Sequence, residues 1–142
     1  MKKLIPVLFI CILAMIFTSC GNSELKIDGY EWQLRTAANL NAESVVVAVD
    51  EKNEAYPDAE VVDVVLTAKN GELIIQDKTN NETYTGAYEE MYVTENSGDY
   101  KIIVKGKEGY ATVAYTTYAD GTKERTLPIT VGGYDMYFYA NN

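Results

Sequence analysis

From Tyr30 onward, apolar and polar side chains alternate with a period of two, the spacing of a strand with one covered face. Trp32 and Leu34 alternate with Glu31, Gln33 and Arg35. Leu127, Ile129 and Val131 alternate with Thr126, Pro128 and Thr130, and Met136, Phe138 and Ala140 alternate with Asp135, Tyr137 and Tyr139. Turn-forming residues punctuate these runs at Asn39-Leu40-Asn41, Asn53-Glu54, Asn70-Gly71, Asn80-Asn81, Ser97-Gly98-Asp99, Glu108-Gly109, Asp120-Gly121 and Gly132-Gly133. Asn70-Gly71 and Asp120-Gly121 are the sharpest, being suited to type I′ turns with positive φ at both central residues. The pattern predicts about ten strands and no helix. They are Glu31–Thr36, Ser44–Val49, Val61–Ala68, Glu72–Gln76, Thr83–Tyr88, Glu90–Thr94, Tyr100–Lys105, Tyr110–Tyr118, Lys123–Val131 and Tyr134–Tyr139.

The pattern weakens between Ala37 and Asp63, which reads as a turn, one β-branched strand and an acidic loop through Asp50–Glu60. Pro128 has no N–H to give a ladder, so its strand is expected at an edge or with a bulge. Short links between consecutive strands favour an all-β, antiparallel up-and-down meander closed as a small barrel of about 8–10 strands. A two-sheet β-sandwich is the alternative.

Ahead of the strands, Lys2-Lys3 precede the apolar run Leu4–Phe17, which ends in Thr18-Ser19-Cys20-Gly21. A basic start, an apolar stretch of this length and small residues after it make a secretory signal peptide. A membrane-spanning helix needs about 20 apolar residues, more than the run supplies. Phe17-Thr18-Ser19-Cys20 resembles the lipobox of bacterial lipoproteins, with Phe17 where Leu, Val or Ile is usual. The resemblance implies cleavage before Cys20 and acylation of its sulfur, so that membrane lipid is the first partner. The expected division is a leader at 1–19, lipidated Cys20 with a polar tether through 28, and one barrel domain at 29–142. Leu25 and Ile27 are the residues of that tether that could begin the fold. Cys11 leaves with the leader, so no free thiol remains. The domain is expected on the extracytoplasmic side of a bacterial membrane.

The strand region resembles small lipocalin-like bacterial lipoproteins. Ile27-Asp28-Gly29-Tyr30-Glu31-Trp32-Gln33-Leu34 is similar to the Gly-then-Trp opening of such barrels, with two residues between Gly29 and Trp32 where lipocalins have one. Asn70-Gly71-Glu72-Leu73-Ile74-Ile75 and Tyr84-Thr85-Gly86-Ala87-Tyr88 are similar to their central hairpins. So are Gly109-Tyr110-Ala111-Thr112-Val113, Asp120-Gly121-Thr122 and Leu127-Pro128-Ile129. The resemblance implies a meander barrel on a lipid tether.

Composition narrows the chemistry. The chain holds 12 Lys+Arg against 21 Asp+Glu, a net charge of −9, and losing Lys2 and Lys3 with the leader takes it to −11. Such a chain repels nucleic acid, and on a tether it is held off anionic headgroups, so the domain is expected to stand clear of the bilayer rather than lie on it. No His is present, so neither Ser-His-Asp nor Cys-His catalysis has its base. No cofactor-binding motif occurs, and no cofactor is expected. A pair of carboxylates acting as a glycoside hydrolase is the one catalytic route left, and it is a remote one. Glu89-Glu90 do not serve as that pair in a strand, where neighbours face opposite sides. Asp50, Glu54, Asp58 and Glu60 form a weak Ca²⁺ candidate, because Lys52 interrupts the oxygen-ligand spacing. A solvated acidic loop is the expected reading.

Tyrosine is the unusual component: all 12 lie after the leader. Tyr suits strands, and it also supplies rigid amphipathic contact area. With Met136 and Phe138 inward, Tyr137 and Tyr139 face out. With Val113 and Tyr115 inward, Tyr110 and Tyr118 face out and could join them in one exterior patch. Trp32 is expected as a barrel plug, and is retained with these tyrosines as a candidate contact residue. The reading is a binding or interaction module for a small apolar ligand, a glycan or an envelope protein. The alternative is a structural or inhibitory envelope protein with no small-molecule site.

Overall fold

The structure, a computed structural model, describes residues 24–140; the leader and Cys20 lie outside the described residues. Ten strands follow in order. They are β1 (Glu31–Asn39), β2 (Ser44–Val47), β3 (Glu60–Val61), β4 (Val64–Lys69), β5 (Glu72–Asp77), β6 (Glu82–Val93), β7 (Ser97–Val104), β8 (Lys107–Thr117), β9 (Lys123–Val131) and β10 (Tyr134–Ala140). From β4 to β10 each strand pairs antiparallel with the next. β10 and β4 then both pair with β1, closing an eight-stranded barrel. The sandwich alternative is excluded, because one continuous sheet closes on itself.

The two extra strands explain the weak stretch of sequence. Only the first part of β1 pairs with β4, from Glu31↔Thr67 to Gln33↔Val65. Its second part pairs with β2, from Thr36↔Val47 to Asn39↔Ser44. β3 and β4 are successive parts of one bent course of chain, broken at Val62-Asp63, and β3 lies parallel to β2. β2 is therefore a wedge driven between β1 and the upper part of the β3–β4 course. The base of the barrel has eight strands, whereas the rim gains a ninth and flares. At the fork, the Gln33 side-chain amide donates to Asp63 Oδ1 at 3.1 Å and Val64 O at 3.2 Å.

A bulge sits at the same fork. Leu34 pairs with Phe138 and Thr36 with Tyr137, leaving Arg35 as an extra residue in β1. One extra residue reverses which side chains face inward. Trp32 and Leu34 face the core, and past the bulge it is Ala37 that does so. This is why β1 continues through Ala37–Asn39, where the alternation is lost and the sequence reads as a turn.

Other boundaries also move. Thr83–Tyr88 and Glu90–Thr94 are one strand, β6, with a bulge at Met91 between Glu90 and Tyr92. Ser97-Gly98-Asp99 is not a turn but the start of β7, where Gly98 packs under the chain: a Cβ there would stand 2.2 Å from Leu25 O. Glu108-Gly109 lies within β8, and Lys105-Gly106 makes the turn. Asn70-Gly71 has positive φ at both residues (51° and 82°), as a type I′ turn needs, whereas at Asp120-Gly121 only Gly121 does. Pro128 is neither at an edge nor in a bulge. β9 pairs with β10 right across it, and the ladder to β8 simply lapses between Ala111↔Ile129 and Ala114↔Thr126.

The core is the inward set of alternate residues, with one end filled solid. Leu25 and Ile27 are fully buried there, so the folded unit begins ahead of β1. Trp32 Nε1 donates to Ile27 O at 2.8 Å, and Ile27 N–H donates to the buried Tyr100 hydroxyl at 3.1 Å. Burial of Trp32, Tyr100, Phe138, Leu25 and Ile27 together supplies a floor worth several kcal/mol at about 1.5–3 kcal/mol per side chain. Beneath it the Arg125 guanidinium lies 4.0 Å from the Tyr30 ring centre and 5.3 Å from that of Tyr115.

Candidate functional site

At the opposite end from this floor the barrel is not filled. The turns β1–β2, β5–β6, β7–β8 and β9–β10 surround an open cavity of about 350 Å³. Its wall is apolar: Leu34, Ala37, Val64, Ile75, Val131 and Met136 come from the inward rows of five strands. The wedge adds Val46 and the link before β4 adds Val62. The flare thus makes both the space and part of its lining. Polar groups are confined to the lip, where Glu60, Asp77 and Asn80 face Lys105 and Lys107.

Two aromatic residues frame the opening. Lys105 Nζ lies 4.1 Å from the centre of the Tyr84 ring, and the Tyr84 hydroxyl donates to Glu82. That bond to a carboxylate, with some burial, pushes Tyr84 up to about 12. The Tyr134 hydroxyl accepts from Asn39 Nδ2 at 3.1 Å, tying the rim of β10 to the end of β1. The arrangement suits an apolar guest entering from water, with fixed polar groups only where it stops.

The residues singled out from sequence fall elsewhere. Trp32 is wholly buried in the floor, with no surface for a ligand. Tyr137 and Tyr139 are half-buried on the outer wall, and Tyr118 is near them. The Arg35 guanidinium lies 4.4 Å from the Tyr139 ring centre, and its Nη1 donates to the Tyr118 hydroxyl at 2.9 Å. Tyr137 is linked through its hydroxyl to Thr116 at 3.2 Å. Tyr110 does not join them. It is outward and 61% exposed, but eight residues of extended chain, roughly 26 Å, separate it from Tyr118. Tyr115 is exposed rather than inward, because β8 there has run past the floor of the barrel.

Among the described residues no group of three or more carboxylates is gathered closely enough to hold a metal ion. Asp50 and Glu51 sit in a short 3₁₀ turn, Val49–Glu51, and Glu60 is at the lip of the cavity. Glu51 is drawn instead to Arg35, with Oε1 2.7 Å from Nε, an ion pair off the line of a hydrogen bond.

Arg35 is the outer-wall residue that the alternation pattern does not single out. Besides Glu51 it holds Glu124 with two bonds, at 2.8 and 3.1 Å, and its carbonyl accepts from Ala48 N at 2.8 Å. Burial opposes its charge, but the bonds to Glu124 and Tyr118 outweigh that and raise its pKa. Burial likewise opposes the Glu124 carboxylate, while Arg35 and Tyr118 lower its pKa. The bond to Glu124 raises the Tyr118 hydroxyl. The cluster clasps the loop after β2 to the β8–β9 hairpin. Its one sequence signal is rarity: Arg35 and Arg125 are the chain's two arginines, and both stack on tyrosine.

A second recess, about 300 Å³, lies on the outer wall of β1, β9 and β10, between Tyr56 of the acidic loop and Tyr137, with Val45, Pro128 and Asp135. No family model, no curated protein and no solved structure gives a significant match to the chain.

Proposed function

We propose that this protein is a lipid-anchored, lipocalin-like barrel on the extracytoplasmic side of a bacterial membrane that takes a small apolar ligand into its mouth. The observation that carries this reading is the contrast between a floor packed solid and a mouth left open over an apolar wall. Ligand pockets commonly span about 300–1,000 Å³, so this one suits a single ring system or a short chain rather than a two-tailed lipid. The signal-like leader and Cys20 support the anchor.

The test uses the chain from Gly21, titrated with anilinonaphthalene sulfonate, whose own emission is followed, and with short-chain alcohols and aromatic compounds that displace it. Saturable binding at one site is expected, together with its loss in Ala37→Phe, which fills the cavity. A thermal melt of that variant within a few degrees of the parent shows that it still folds. Binding that survives Ala37→Phe, or no binding by a folded protein, overturns the reading.

A second reading has an observation of its own. The outer recess sets two tyrosines, Tyr56 and Tyr137, about a carboxylate, Asp135, which suits a glycan or an envelope protein. Retained glycan binding in Ala37→Phe, lost in Tyr137→Ala, would favour it.

A further inference from the structure

The sealed end of the barrel carries exposed apolar and aromatic side chains among its charges. Two hairpins run past the floor there. The β6–β7 hairpin carries Met91 and Tyr92, which are 59% and 63% exposed. The β8–β9 hairpin carries Tyr115 and Tyr118, which are also exposed. Met91 owes its position to the β6 bulge, which leaves it without a cross-strand partner in β7.

The chain enters the fold at this same end. Leu25 N–H donates at 2.9 Å to the carbonyl of Thr94, two residues beyond Tyr92, before the chain passes Tyr100 and Trp32. Cys20 precedes Glu24 by four residues, a leash of about 14 Å even when fully extended. An acyl chain on Cys20 therefore brings a bilayer to the sealed end and not to the mouth.

We propose that the sealed end docks on the bilayer that holds acylated Cys20, with Met91, Tyr92 and Tyr115 at the boundary between headgroups and acyl chains, and the mouth facing away. This rests on the reading of Cys20 as acylated. Tyrosine favours that boundary because its ring is apolar and its hydroxyl is not. Charge selects the lipid. Exposed Glu24, Asp28, Glu89, Glu90, Glu95 and Asp120 outnumber exposed Lys26, which pairs with Glu24 at 3.0 Å, and Lys123 on the same end, so anionic headgroups are repelled and zwitterionic ones are favoured. A ligand for the mouth then arrives from the aqueous side, not by sliding out of the anchoring membrane.

The experiment uses the acylated protein purified from membranes, with the mass of Cys20 checked first, in phosphatidylcholine vesicles containing nitroxide-labelled lipid. A single thiol is introduced by Asn96→Cys in the β6–β7 turn or by Ala42→Cys in the β1–β2 turn at the mouth, and labelled with a fluorophore. Quenching several-fold stronger at 96 than at 42 is expected, weakening as phosphatidylglycerol replaces phosphatidylcholine and when Met91 and Tyr92 are both changed to Ser. Equal quenching at the two positions, stronger quenching at 42, or a difference between them that the Met91 and Tyr92 changes leave unmoved, on a protein whose Cys20 is acylated, overturns the docking while leaving the anchor intact. An unmodified Cys20 overturns the anchor and the docking together, and leaves the ligand reading of the mouth to its own test.

Discussion

The floor and the mouth of this barrel are made from the same strands and the same alternation, yet they differ in nearly every physical respect. At the floor, eight strands close around Trp32, Tyr100, Phe138, Leu25 and Ile27, and the polar atoms of Trp32 and Tyr100 are bonded to the entering chain. At the mouth, the ring has gained β2, and the inward residues are smaller: Ala37, Val46, Val62, Val64 and Val131. A wider ring lined by smaller side chains leaves space. The contrast teaches that the open space comes from one more strand at the rim together with smaller inward side chains there.

The comparison is broken most severely at the floor. Trp32→Ala is expected to destabilise by about 3–5 kcal/mol, since it opens a cavity and strips the donor from Ile27 O. Urea denaturation measures it, and a loss below 1 kcal/mol would mean the floor does not hold the fold. Gly98→Ala tests the entering chain. Its Cβ must displace Leu25, at an expected cost of about 1–3 kcal/mol by the same assay, with faster proteolysis ahead of Ile27. Arg35→Ala, at the fork between the two regions, is expected to cost about 1–2 kcal/mol, reduced because its partners are in part solvated. Val46→Ala at the mouth removes a half-exposed side chain and should cost less than about 1 kcal/mol while weakening ligand binding.

Acid sharpens the same comparison. The folded Glu124 carboxyl titrates below its ordinary value of 4.5. A group held lower in the folded chain contributes its stability in full above the unfolded value and loses it as pH falls through the folded one. Stability should therefore fall below about pH 4.5, and Arg35→Ala should flatten that limb relative to the parent. Parallel pH profiles of the two proteins would refute the clasp.

The meander was legible because period-two alternation survives in β9, β10 and the first part of β1, and because Asn70-Gly71 marks the β4–β5 turn and Gly132-Gly133 the β9–β10 turn. The bulge at Arg35 was not, because an extra residue erases the period that would reveal it. Ser97-Gly98-Asp99 misled for a similar reason. Glycine serves there to let Leu25 approach, a tertiary need that resembles a turn signal in sequence. The mouth was hidden because a cavity is a property of strand count at the rim, and Val46 or Val64 looks like any core valine. Tyr137 and Tyr139 face outward as alternation predicts, but Tyr139 reaches Tyr118 only through Arg35, and Tyr137 bonds Thr116 instead, residues that alternation alone does not mark.

The way β2 hangs from the barrel bears on how such a protein can change over generations. The stretch from Ser44 to Asp63 is fastened to the upper half of β1 and to the clasp, while closure of the base relies on β1, β4 and β10. Selection can lengthen, shorten or recompose that excursion without disturbing the ring below it. The bore of the barrel is in this sense an exchangeable part. Descendants with the same staves would be free to differ in its width.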